Sequence, residues 1–231
     1  MLGESVLSLI IVEDSPGRRY YVTFSTGVVG VTMMQYLYFR STPPDADDHA
    51  MRRSMGGGFQ FFYSLLFYSA CLILLGCSFK LILHQYLDEY ELLQEDGEID
   101  DKEQEELDES ARSIAHLFSW SLAGSFFLLD MMTVSHRGWK VNLGRMVKGG
   151  QIQWAPTLCT VGVLALIAVT AALPVWITNL ELLSVAGCAI IFAQVMLRTM
   201  GYRYFPVSKR AMNVAYHWPN VTEARSVAHD A

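Results

Sequence analysis

The chain has 231 residues, 52% of them hydrophobic and 17% charged, where about 25% charged is usual for a soluble domain. The charge is also clustered: 13 acids and one base, Lys102, lie between Asp88 and Glu109, and without that stretch the net charge moves from −6 to +6. Long charge-free runs exclude an ordinary soluble globule. Four cysteines inside those runs (Cys71, Cys77, Cys159 and Cys188) exclude a disulfide-stapled domain, and basic residues scattered over loops give no support to nucleic-acid binding.

In chain order, residues 1–12 come first and are apolar apart from Glu4. As helix they reach only about 18 Å, too short to span, and they lack the basic leader and cleavage site of a signal peptide. They read as the second half of a helix that begins upstream. A bilayer core about 30 Å thick needs roughly 20 apolar residues, and five further segments meet or nearly meet that length. These are 20–39, 54–79, 113–129 (apolar on to Val134), 149–180 and 182–197, the last extending to Phe205 if its arginines snorkel. Gly56-Gly57-Gly58 reads as a loop ahead of the second of these, and Pro174 as a kink in the fourth. The expected fold is an all-α multi-pass transmembrane helix bundle with five full helices plus one partial N-terminal helix. Its parts are membrane helices over 1–87, an acidic extramembrane linker over 88–112, membrane helices over 113–205 and a polar tail over 206–231.

Alternating sides place five lysines and arginines on one face of the membrane and twelve on the other. The side richer in base is expected to be cytoplasmic. The loops around 41–53 and 136–153 and the C-terminal tail therefore face the cytoplasm, and the acidic segment faces outward or into a lumen. Asn220-Val221-Thr222 has the form of a glycosylation sequon, but this topology leaves it without a glycan.

Ionisable residues within apolar runs mark candidate sites, because each costs roughly 2.5–3.5 kcal/mol at a helix centre. Asp130 follows 17 uncharged residues. It is either a carboxylate that binds a cation or carries a proton, or a headgroup-level residue paired with Arg137 or another loop base. Glu4 is a surface carboxylate if the helix starts at Met1, and lies near mid-membrane if it starts upstream. Lys80 and His84 share a helix face and, with His116, lie toward the outer side; they form either a polar cluster or three separate interfacial groups. Two histidines and a lysine make no metal site.

Small residues at Gly27 and Gly30, and again at Ser121 and Ser125, permit close helix approach. Gln35, Gln60 and Gln194 are available for hydrogen bonds between helices. The acidic stretch half-matches a calcium loop over 92–103, with Asp96, Gly97, Glu98, Asp100 and Glu103 at ligand or turn positions, but Leu92 stands where the first aspartate belongs. A solvated acidic linker, continuing its flanking helices, is the expectation there. With no phosphate-binding glycine loop, nucleophile elbow or HExxH motif, neither an enzyme nor a cofactor is expected.

The opening Leu2-Gly3-Glu4-Ser5-Val6-Leu7-Ser8-Leu9-Ile10 resembles the membrane motif of the low temperature requirement A family, in which an apolar helix ends in a Leu-Gly-Glu-Ser/Ala run. Tyr36-Leu37-Tyr38-Phe39 resembles the aromatic end of that family's next helix. Phe61-Phe62-Tyr63 through Gly76-Cys77-Ser78-Phe79-Lys80-Leu81 resembles the helix after it, which ends Gly-x-x-x-Lys-Leu. The resemblance covers residues 2 to about 85 and implies a multi-pass membrane protein linked by name to growth in the cold. It also implies further helices ahead of the Leu-Gly-Glu run, so that this chain corresponds to the C-terminal part. The acidic insertion after Leu87 departs from the family pattern.

Two classes of function stay open. One is movement of a proton, cation or small solute, with Glu4 and Asp130 as pathway residues, Lys80 as counter-charge and His116 nearby. The other is a non-transporting membrane component in a homo-oligomer or partnered with another subunit, with Gly27 and Gly30 at the contact and the acidic segment as docking surface. The lipid bilayer is the partner common to both.

Overall fold

The computed structural model describes residues 17–43, 49–95, 101–137, 147–148, 151–152 and 154–204. Among them are six helices: α1 (Arg18–Ser41), α2 (Ala50–Arg53), α3 (Met55–Glu95), α4 (Asp101–Arg137), α5 (Trp154–Trp176) and α6 (Leu180–Tyr204). A two-residue antiparallel pairing, β1 (Val147–Lys148) with β2 (Gln151–Ile152), separates α4 from α5. The chain forms the all-α bundle that its apolar runs predict.

Among the described residues four helices are long and apolar enough to cross a membrane, over Met55–Glu89, Gln104–His136, Thr157–Trp176 and Leu180–Met200. The sequence leads one to expect five. The difference is α1, whose 24 residues have the length but include Thr23, Ser25, Thr26, Thr32 and Gln35, which dilute its hydropathy. Residues 1–12 with Glu4, the tail from Pro206 and the sequon at Asn220 lie outside the described residues.

α3 has 41 residues and α4 has 37, about 62 and 56 Å of helix at 1.5 Å per residue. Both exceed the bilayer core, and the excess is the acidic stretch. Residues 88–95 continue α3 and residues 101–112 begin α4, so the helices run well into the segment expected as a linker. The hairpin is held by a heptad-like stripe on each helix. Tyr68, Leu72, Leu75, Phe79, Ile82 and Tyr86 from α3 are buried, as are Ile114, Phe118, Leu122, Phe126, Leu129 and Met132 from α4. Steps of three and four keep each set on one helical face. Phe79 meets Phe118 edge-on at 5.2 Å. Beyond the apolar stripe, the Gln85 side-chain amide donates to the Leu107 carbonyl at 2.8 Å, tying the extensions together.

α1 buries Tyr20, Thr23, Gly27, Gly30, Val31, Met34 and Leu37, again in steps of three and four. It packs most heavily on α6. A Cβ at Gly30 would stand 3.2 Å from Ile191 of α6, and the Thr26 hydroxyl donates to the Ser184 hydroxyl at 3.3 Å. The Gly30 contact expected with another subunit is therefore made within this chain, by α6. A tighter crossing lies at Gly187, where a Cβ would be 2.6 Å from the Phe118 ring. Only glycine permits α6 to lie this close to α4.

Gly56, Gly57 and Gly58 form the first turn of α3, not the loop their composition predicts. Ser54 accounts for this: its hydroxyl accepts from the Gly57 N–H at 3.0 Å, a cap that offsets the poor helix propensity of three glycines. A Cβ at Gly57 would come within 2.9 Å of that same oxygen. Pro174 lies in the last turn of α5, two residues before Trp176, where a missing N–H disturbs little helix. Outward-facing Phe62, Leu66, Phe67, Ile73, Trp120, Phe127, Leu164 and Phe192 are all exposed. In water such a surface drives association; against acyl chains it is matched.

Candidate functional site

Asp130 sits seven residues before the end of α4 and Arg198 six before the end of α6. α4 and α6 run the same way, since α5 returns between them, so both charges lie about 10 Å inside one end of the bundle. Arg198 Nη2 donates to Asp130 Oδ1 at 2.8 Å, with side-chain exposures of 9% and 24%. The same nitrogen donates to the Phe126 carbonyl at 3.3 Å. Arg198 Nε donates to Gln194 Oε1, one turn earlier, at 3.5 Å. Gln194 is wholly buried, and its amide nitrogen donates to the Val163 carbonyl of α5 at 3.2 Å. One ion pair and one amide thus join α4, α5 and α6.

Beside the pair, Asp130 Oδ2 and the Tyr68 hydroxyl have no hydrogen-bond partner among the described residues although no solvent reaches them. Tyr68 belongs to α3, lies within electrostatic reach of Arg198 and stacks on Tyr38 of α1, the ring centroids 5.8 Å apart and 8° from parallel. Buried polar groups are paired in the great majority of cases. Two unpaired ones near an ion pair mark this end of the bundle as a site with unused hydrogen-bonding capacity.

A second group lies near the same ends of the helices. The rings of His49, Phe61 and His136 meet at centroid distances of 4.6 to 4.8 Å. His136 Nδ1 accepts from the Ala50 N–H at 3.1 Å, and His49 Nδ1 accepts from the Met51 N–H at 3.4 Å. The two imidazoles hold α2 against the end of α4. Nδ1 of His136 is an acceptor, so its lone pair is free of a proton in this arrangement.

At the opposite end Arg19 of α1 donates to Glu89 of α3 at 3.3 Å and stands 4.0 Å from Glu181 of α6. Asn179 caps α6 there, its side-chain oxygen accepting from the Glu181 and Leu182 N–H groups at 2.9 and 3.2 Å.

Of the residues singled out from sequence, Asp130 is in the bundle and paired with Arg198; the Arg137 side chain and the loop bases over 138–146 lie outside the described residues. Lys80, His84 and His116 are each exposed. Among the described residues no group of three or more His, Cys, Asp or Glu is placed to hold a metal. Ser121 and Ser125 are buried, and their hydroxyls donate back to the Phe118 and Ser121 carbonyls at 2.9 and 2.8 Å. They supply small volume and, among the described residues, bond only within their own helix. Gln35 is exposed. Of the calcium half-match, Asp96, Glu98 and Asp100 lie outside the described residues, and Glu103 falls in the first turn of α4.

Sequence reading missed the pairing, the His49–Phe61–His136 group and Gly187. A signal for the pairing was present. Asp130 ends an uncharged run of 17 residues and Arg198 one of 16, and opposite charges at matched depth in parallel helices are natural partners. No family model, no curated protein and no solved structure matches this chain.

Proposed function

We propose that this integral membrane protein is of the low temperature requirement A type and moves a proton, cation or small solute through a site centred on Asp130. The observation that carries the reading is the Asp130–Arg198 pair inside the helix bundle. Ionisable side chains at membrane depth are expensive and mark pathways or relays, and here one carboxylate oxygen has no partner among the described residues. Lys80 is exposed, so the counter-charge role expected of it passes to Arg198. The test is flux into vesicles reconstituted with the purified protein. Asp130→Asn is expected to abolish it, and Glu4→Gln to reduce it. Wild-type flux in both variants would remove the assignment.

A second reading, a subunit that docks a partner, draws support from the exposed Asp88, Glu105, Glu106, Asp108 and Glu109 on the α3–α4 hairpin. A basic partner that co-purifies at low salt and is lost when these five are neutralised is its expected signature. A clean monomer under the same conditions counts against it.

A further inference from the structure

We propose that the species bound at this site is a proton, that it is taken up by Asp130, and that it competes there with Arg198 as a built-in cation. The inference rests on the transport reading and names its cargo. Among the described residues Arg198 is fastened to Asp130 through Oδ1, and Oδ2 is buried with no donor. Oδ2 is therefore the atom open to a proton. The step is balanced simply: the carboxylate gains H⁺ and becomes a neutral acid, while the guanidinium keeps its charge, so the pair goes from net zero to net +1.

A lone guanidinium is poorly tolerated in an apolar bundle. It has two other acceptors within reach, the Phe126 carbonyl and Gln194 Oε1. It also stands six residues from the end of α6, about 9 Å along the helix, a distance a long side chain covers largely by snorkelling. Proton uptake thus removes the charged half of the tie between α6 and α4, leaving the hydrogen bond to the Phe126 carbonyl, and proton loss restores it.

The groups around Asp130 leave Arg198 as its one charged partner among the described residues. α3 presents Tyr68, with Tyr38 of α1 stacked behind it. α5 carries no charged residue. α2 reaches α4 at His136, whose Nδ1 is taken by the Ala50 N–H.

The test is an infrared titration of the full chain in vesicles, following the protonated-carboxyl band as pH is lowered, beside proton flux measured with a pH-sensitive dye. The wild-type band is expected to grow with acid, to be missing in Asp130→Asn, and to change frequency in Asp130→Glu, which secures the assignment should the asparagine variant fail to fold. Arg198→Gln is expected to raise the proton affinity about tenfold or more, a full pKa unit, and Arg198→Lys to stay near wild type. A band unchanged in Asp130→Asn and Asp130→Glu, or an affinity indifferent to Arg198→Gln, overturns the proposal. Flux without titration of Asp130 overturns it while leaving the transport reading intact; titration without flux removes the transport reading, and with it the proton as cargo.

Discussion

The Asp130–Arg198 bond is the residue-scale feature with the largest consequence. Removing one partner leaves the other charged and buried, and such losses run to about 3–5 kcal/mol. Arg198→Ala is therefore expected to lower the unfolding free energy in detergent by that order. Asp130→Asn combined with Arg198→Gln is expected to recover most of it, because neither charge is then stranded. A double variant as unstable as Arg198→Ala would show that the two side chains are not coupled. Gln194 behaves differently. Its amide bridges to the Val163 carbonyl, so Gln194→Leu is expected to cost only about 1 kcal/mol in the same assay. The sequence marked Asp130 as exceptional and Gln194 as an interhelical donor, but it could not say which of several bases Asp130 would choose. That choice depends on which helix lies beside α4.

At the scale of the helices, two contrasts follow from how closely they approach. Gly187 faces a ring that cannot retreat, since Phe118 is itself buried against Phe79. Gly187→Ala is expected to destabilise the protein by about 1–3 kcal/mol through overpacking. Ser121→Ala keeps the small volume and loses only a bond back to its own helix, so a change within about 0.5 kcal/mol is expected. Equal effects in thermal unfolding would mean that the α4–α6 crossing does not depend on glycine. At the far end, Arg19 is 58% exposed. Such surface pairs contribute about 1 kcal/mol or less and are screened by salt, so Arg19→Ala is expected to be nearly silent in high salt. The steps of three and four along α1, α3 and α4 were legible because helical geometry repeats them. Gly187 was not, because one glycine in an apolar run looks the same whether it meets a ring or lipid.

For the whole molecule, the distribution of charge sets the orientation expected in the membrane, with the acidic hairpin outside and the basic loops inside. With the four native cysteines replaced, Glu106→Cys is expected to react with an impermeant maleimide on intact cells, and Lys148→Cys only after permeabilisation. The reverse pattern would invert the topology. The sequence predicts the hairpin in part, as a continuation of its flanking helices. What holds it is the buried stripe running on past the charge-free segment to Ile82 and Tyr86, with the Gln85–Leu107 bond beyond.

Hydropathy and helical period are local properties, additive along the chain, and they alone determined that this is an all-α membrane bundle with apolar helices over the α3 to α6 runs. They also located Asp130 as a charge without an obvious reason. The tertiary structure decided what neighbours do to one another. It paired Asp130 with Arg198, 68 positions away, gathered His49, Phe61 and His136 around the start of α2, placed Gly30 against α6 within the same chain and left Lys80 outside. These outcomes depend on the order and depth at which helices pack, which many sequences of the same hydropathy would arrange differently.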